Sequence, residues 1–138
     1  MKKTISLLSI LFVSVLWSCS SENSRPQQEI ASGEWKLINV QGGIPGSNYN
    51  FASGLITWNF DPTNHLVSVV NNNTDPSSID YFKTGNYIFQ TSTEPNVMSC
   101  GETITFDDGA GMACIYIENE KLIINSLVND GFKLTFIH

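Results

Sequence analysis

Strict alternation of apolar and polar side chains is the feature that most constrains the fold of this 138-residue chain. It is clearest where Ile56, Trp58 and Phe60 alternate with Thr57 and Asn59. An alternation with a period of two indicates a β-strand with one buried face. The pattern recurs from residue 33 to the end of the sequence, where no stretch shows the 3.6-residue apolar stripe of a helix. The sequence therefore predicts an all-β domain.

Eight short segments are alternating or rich in apolar and β-branched residues, and residues typical of turns separate most of them. The segments are Glu34 to Gln41, Ile56 to Phe60, Leu66 to Val70, Gly85 to Thr91, Thr103 to Phe106, Ile115 to Ile117, Leu122 to Ile124, and Phe132 to Phe136. The clearest turn signals are Asp61-Pro62-Thr63-Asn64, Asp107-Asp108-Gly109, Asn119-Glu120 and Asn129-Asp130-Gly131. Short connections join antiparallel neighbours, and closure removes the exposed edges of a sheet. We therefore predict an eight-stranded antiparallel up-and-down barrel over residues 33–138.

The N-terminal segment has the plan of an export signal. Lys2 and Lys3 precede a mostly apolar run from Ile5 to Leu16, which is 12 residues long. A membrane-spanning helix needs about 20 such residues. Residues 1–18 are therefore predicted to be a cleaved signal peptide rather than a membrane span.

The residues around the predicted cleavage point, Leu16-Trp17-Ser18-Cys19, resemble the lipobox of bacterial lipoproteins. The resemblance implies a diacylglyceryl thioether on Cys19 and an acylated, palmitate-type amino group. It also implies a lipid-anchored protein in the cell envelope of a Gram-negative bacterium, with the outer membrane favoured over the inner. Residues 19–32 contain almost no apolar side chain and are predicted to be a disordered tether. Periplasmic and surface-exposed display both remain open.

The charge balance excludes two classes of partner. Loss of Lys2 and Lys3 with the signal peptide leaves five basic against 13 acidic residues, a net charge of −8. An acidic surface without a basic patch repels phosphate backbones, so we predict no nucleic-acid binding. Electrostatic docking on anionic lipid is excluded for the same reason. The lipid on Cys19 would therefore hold the protein at the membrane, and we expect a monomer.

Cys100 and Cys114 remain once Cys19 is acylated. Exported thiols commonly pair, and these two flank a predicted hairpin, so we predict a disulfide; two buried free cysteines are the alternative. His65 and His138 have no metal-ligand spacing to a cysteine, and we predict neither a metal site nor another cofactor.

Gly33-Glu34-Trp35 at the first predicted strand resembles the Gly-x-Trp opening of lipocalins. Taken together, this motif, the final predicted strand and the succession of eight predicted strands resemble the small lipocalin-like lipoproteins of bacteria, often seen in the Bacteroidetes. In lipocalins the tryptophan fills the closed end of the barrel and a basic side chain from near the last strand lies across it. The resemblance implies these roles for Trp35 and for Lys133, the nearest basic candidate.

The predicted barrel has room either for packed side chains or for one small ligand. Many of its aromatic residues, including Trp58 and Tyr87, fall on the apolar phase of their strands. Trp58 and Tyr87 are the candidates for lining a ligand cavity if one exists. The polar loop Gly42 to Ser53 carries Tyr49 and Phe51, which could cover a barrel mouth or contact a partner.

Nothing in the sequence assembles catalytic machinery, and we predict a protein that is not an enzyme. His65 and His138 are predicted to be surface residues, and Asp107 and Asp108 to belong to an acidic hairpin turn. Two functions stay open. One is binding of a small hydrophobic ligand inside the barrel. The alternative is a protein-interaction or inhibitor module of the cell envelope with a filled core.

Overall fold

The computed structural model describes residues 32–43, 46–93, 100–109, 111–126 and 130–138. All secondary structure within these ranges is β, apart from turns and bends. The predicted signal peptide, Cys19 and the tether up to residue 31 lie outside the described residues. None of the described segments forms a helix of the length and apolarity that crossing a membrane requires.

Nine strands follow one another along the chain. They are β1 (Gly33–Gly42), β2 (Asn48–Asn50), β3 (Ile56–Asp61), β4 (Leu66–Asn71), β5 (Gly85–Ser92), β6 (Thr103–Phe106), β7 (Met112–Glu118), β8 (Lys121–Ser126) and β9 (Phe132–Ile137). Eight of these correspond to the predicted segments, with boundaries that differ by a few residues.

A single antiparallel sheet closes on itself. β1 pairs with β3 along one edge, and strands β3 to β9 then pair in chain order. β9 returns to the other edge of β1, where Lys36 lies opposite Ile137 and Gly42 opposite Phe132. The predicted fold, an eight-stranded antiparallel barrel compatible with a lipocalin-like architecture, is confirmed.

The short strand β2 was not predicted, because Gly42 to Ser53 reads as a loop. β2 continues the edge of β1 beyond β3, with Tyr49 opposite Val40. The side-chain amide of Asn39 donates to Asn48 Oδ1 at 2.6 Å and to Asn50 Oδ1 at 2.9 Å. Asparagine is depleted in strands, so the residues of β2 do not favour a strand by themselves. The pairing with β1 therefore creates this strand.

The barrel has two ends, which differ in how the strands are connected. The base is formed by the start of β1, the β3–β4, β5–β6 and β7–β8 connections, and the C-terminus. The mouth is formed by the β1–β3, β4–β5, β6–β7 and β8–β9 connections. At the base, Asn119 and Glu120 have positive φ angles of 50° and 63°, as expected for a tight two-residue hairpin turn.

Aromatic rings occupy the middle of the barrel. Trp58 is 0% exposed, and its ring neighbours five other aromatic rings, those of Phe60, Tyr81, Phe82, Phe106 and Phe136. Four of the six rings come from the inward phase of strands, as the alternation predicts. Tyr81 and Phe82 come from the β4–β5 connection instead.

The predicted pair Cys100 and Cys114 lies at disulfide-bond distance, with the sulfur atoms 2.06 Å apart and the Cα atoms 5.8 Å apart. Cys114 lies in β7 opposite Thr103 of β6, and Cys100 shortly precedes β6. The bond therefore ties the β5–β6 connection to the wall of the barrel.

Candidate functional site

The mouth is covered by the β4–β5 connection, residues 72–84, which we call the lid loop. Hydrogen bonds to Asn71, the last residue of β4, fasten its far end. Asn71 Nδ2 donates to the carbonyl oxygen of Phe82 at 2.7 Å. The hydroxyl of Thr84 accepts from the backbone N–H of Asn71 at 2.9 Å and donates to its carbonyl at 3.1 Å. The loop therefore folds back onto the strand from which it departs.

A strained turn at Tyr81 directs the lid loop inwards. Tyr81 has a φ of 69°, and the N–H of Phe82 donates to the carbonyl of Asp80 at 3.0 Å. These features are those of a γ-turn with positive φ at its central residue, which is rare and costs about 1–3 kcal/mol for a residue with a side chain. The turn leaves Tyr81 half-buried and Phe82 only 3% exposed.

The ring of Phe82 completes an aromatic stack beneath the mouth. Its centroid lies 4.1 Å from that of Tyr87, with 12° between the ring planes, and 4.9 Å from that of Trp58, with 24°. Phe106 meets it edge-on at 5.1 Å. The Tyr87 hydroxyl donates to the carbonyl of Lys83 at 3.0 Å. The two residues proposed from the sequence to line a cavity, Trp58 and Tyr87, are thus both in contact with one loop residue.

One polar atom in this stack is unsatisfied. The indole Nε1 of Trp58 is buried and has no hydrogen-bond partner among the described residues. Buried polar groups of this kind are few in folded proteins, because an unmade hydrogen bond leaves the cost of desolvation uncompensated.

The carboxylate of Asp80 accepts hydrogen bonds from residues on both sides of the strained turn. Asp80 is 6% exposed, and its carboxylate lies 3.3 Å from Lys83 Nζ and 3.3 Å from Asn73 Nδ2. Burial by itself would raise the pKa of this carboxyl, but hydrogen bonds from Asn71, Lys83 and Asn73 outweigh it, and the pKa is lowered. Asp80 is therefore held in its ionised form within the lid loop.

A depression of about 400 Å³ lies beside the lid loop at the mouth. Its walls are mixed apolar and acidic: Ile79, Tyr81, Asp108, Ser126, Asp130, Gly131 and Phe132. Burial raises the pKa of the Tyr81 hydroxyl, and the nearby charge of Asp108 raises it further. Tyr81 is therefore a neutral phenol in the wall of this depression.

At the base, Trp35 is covered by a residue that the sequence did not suggest. Trp35 is 3% exposed, and the ring of the terminal His138 lies against it with centroids 3.7 Å apart. Lys133, the expected cover, instead lies opposite Gln41 near the mouth end of β9. It also has the outward phase of that strand, between the inward-facing Phe132 and Leu134. Lys133 therefore cannot reach Trp35.

The other predicted site residues lie in separate places. His65 is exposed at the end of the β3–β4 turn, and Asp107 and Asp108 are exposed after β6. Tyr49 and Phe51 are half-buried near the mouth, and Phe51 packs against the core. The proposed lipid site, Cys19, falls outside the described residues.

Sequence reasoning missed Tyr81, Phe82 and the contact of His138. The available signal was the pair of adjacent aromatics in an otherwise polar connection. That pair has no periodicity, so the sequence does not indicate whether its rings enter the barrel. Among the described residues, no group of three or more His, Cys, Asp or Glu side chains could hold a metal ion.

Comparisons of the chain with protein-family models, curated proteins and solved structures found no match.

Proposed function

We propose that the chain is a non-enzymatic, lipocalin-like lipoprotein that binds a small hydrophobic ligand in the mouth-side half of its barrel. One observation carries the proposal: the ring that fills the interior beneath the mouth, Phe82, belongs to a loop rather than to a strand. A loop can leave its position without breaking any strand pairing of the barrel. The volume between Trp58 and Tyr87 can therefore be vacated while the fold persists.

The proposed lipid anchor suits a ligand that enters through the mouth. β1 begins at Gly33, which lies at the base. A diacylglyceryl group on Cys19 would therefore attach the barrel by the end opposite its mouth. More than one acyl chain gives stable anchoring, as the lipobox resemblance implies. We propose an outer-membrane location, and changing Cys19 to Ser should release the protein from the membrane fraction.

Mass spectrometry of the protein under native conditions tests ligand binding. We expect a species heavier than the polypeptide, and organic extraction should release a small hydrophobic compound and restore the polypeptide mass. If the native mass is that of the polypeptide alone and no apolar compound binds to the purified protein, ligand binding is excluded.

The packing at the middle of the barrel favours a second function, a protein-interaction or inhibitor module of the envelope. Trp58 and Phe136 are fully buried there, with ring centroids 5.0 Å apart, so this level of the barrel is already filled. Tyr49 and Phe51, near the mouth, are the proposed contact residues. A partner isolated from envelope extract should no longer bind to the Tyr49→Ala variant and should still bind to the Tyr116→Ala variant. Tyr116 is the control because it is a half-buried tyrosine on the outer face of β7. Equal recovery with both variants would exclude this function.

A further inference from the structure

We infer that Phe82 occupies, from within the chain, a binding site for a planar aromatic compound. This inference rests on the proposed ligand-binding function and specifies its ligand and its gate. The site consists of Trp58, Tyr87 and Phe106. The lid loop opens it by withdrawing Phe82.

The shape of the site follows from the rings around Phe82. Tyr87 and Trp58 lie nearly parallel to the Phe82 ring, at interplanar angles of 12° and 24°. Phe106 stands almost perpendicular to it, at 83°. Parallel and edge-on contacts at these distances are those that aromatic rings prefer with one another. The space that Phe82 fills is therefore flat and walled by rings, which fits a planar aromatic ring better than a flexible acyl chain.

The lid loop can act as a gate because one of its features opposes the closed position and another supports it. The positive φ of Tyr81 opposes the closed position, and the bond from Asn71 Nδ2 to the Phe82 carbonyl supports it. A ligand that needs the open loop binds with an apparent affinity reduced by the fraction of open molecules. Loosening the lid loop should therefore strengthen binding, although the changed residue contacts no ligand.

Calorimetric titration of the purified protein with quinoline tests the gate. Asn71→Ala removes the bond to Phe82, and we expect quinoline to bind about fivefold more tightly than to the unchanged protein. Asn64→Ala is the matched control, because its Nδ2 donates a bond of the same 2.7 Å length to Asp61 at the base. Equal affinities for the two variants would overturn the gate.

A second variant locates the site within the barrel. Phe82→Trp places a larger ring in the same position and should abolish quinoline binding in a folded protein. If apolar compounds bind and neither Phe82→Trp nor Asn71→Ala alters their affinity, this inference is wrong and the proposed function stands. If no apolar compound binds to any variant, both are wrong.

Discussion

The two ends of the barrel are closed by different means. At the base, tight turns such as Asn119-Glu120 join neighbouring strands, and His138 directly follows β9 and covers Trp35. At the mouth, a connection between β4 and β5 crosses the opening and inserts Phe82. Trp35 at the base is thus covered by the immediate continuation of a strand, whereas the aromatic core beneath the mouth is covered by a longer connection.

This difference indicates where the protein can change shape without unfolding. Movement at the base would disrupt strand ends and the Cys100–Cys114 bond. Movement of the lid loop would break hydrogen bonds to Asn71 and release the strain at Tyr81. Connecting loops commonly open at a lower free energy than the strands of a core. The mouth is therefore the end at which we expect exchange with a ligand.

The largest expected contrast is between two buried phenylalanines. Phe89→Ala, in β5, should lower the free energy of unfolding by about 4 kcal/mol, because rigid strands surround the resulting cavity. Phe82→Ala, in the lid loop, should lower it by about 2 kcal/mol, since the loop can relax and relieve the strain at Tyr81. Denaturant unfolding monitored by circular dichroism measures both. Equal losses would mean that the lid loop is as rigid as the strands.

The disulfide gives the next largest effect, and it should be confined to the base. Changing Cys100 and Cys114 together to Ser should lower the free energy of unfolding by about 3 kcal/mol, from the lost constraint on a loop of roughly 15 residues. Chemical reduction of the unchanged protein serves as the control and should give the same loss. Quinoline affinity should stay unchanged, and a rise in affinity would contradict the separation of the two ends.

A smaller effect is expected from the ring that covers Trp35. His138→Ala should lower the free energy of unfolding by about 1 kcal/mol, the usual contribution of an aromatic pair beyond its buried area. Trp35 should also become accessible to acrylamide quenching of its fluorescence. His65→Asn, at the other histidine near the base, should leave quenching unaltered. No change on His138→Ala would show that the strands alone shield Trp35.

The smallest effect is a pH dependence of the lid loop. The pKa of Asp80 in the folded protein lies below its ordinary value of 3.8, so the ionised carboxylate stabilises the closed loop. This stabilisation is complete above pH 3.8 and is lost as the pH falls through the lower, folded-state pKa. The indole NMR signal of Trp58 should therefore shift in acid before the barrel unfolds.

Two comparisons test the assignment of this shift. The Asp80→Asn variant should show the shifted Trp58 signal already at neutral pH. The indole signal of Trp35 should move only with unfolding, although the pKa of Asp61, near the base, is also lowered, by hydrogen bonds from Asn64. A Trp58 signal that is independent of pH in the folded protein would show that Asp80 does not hold the lid loop.

Much of the scaffold could be predicted because its information is local. The alternation in Ile56 to Phe60 and the turn at Asn119-Glu120 each specify a strand or a hairpin by themselves. β2 could not be predicted, since three residues carry no usable period and the strand depends on Asn39 of β1. The contact between Trp35 and His138 could not be predicted either, because only the closure of β9 on β1 brings residue 138 to residue 35.

The order of residues in the chain predicts an eight-stranded barrel with an aromatic inward phase and the pairing of Cys100 with Cys114. It also placed Trp58 and Tyr87 on that inward phase. That the ring between them comes from Phe82 in the lid loop is seen only in the folded barrel. Strand periodicity is a property of neighbouring residues, whereas the position of a loop residue depends on which surfaces the closed barrel brings near it. The candidate site contains both kinds of residue, because Trp58 and Tyr87 lie on strands and Phe82 lies in the lid loop.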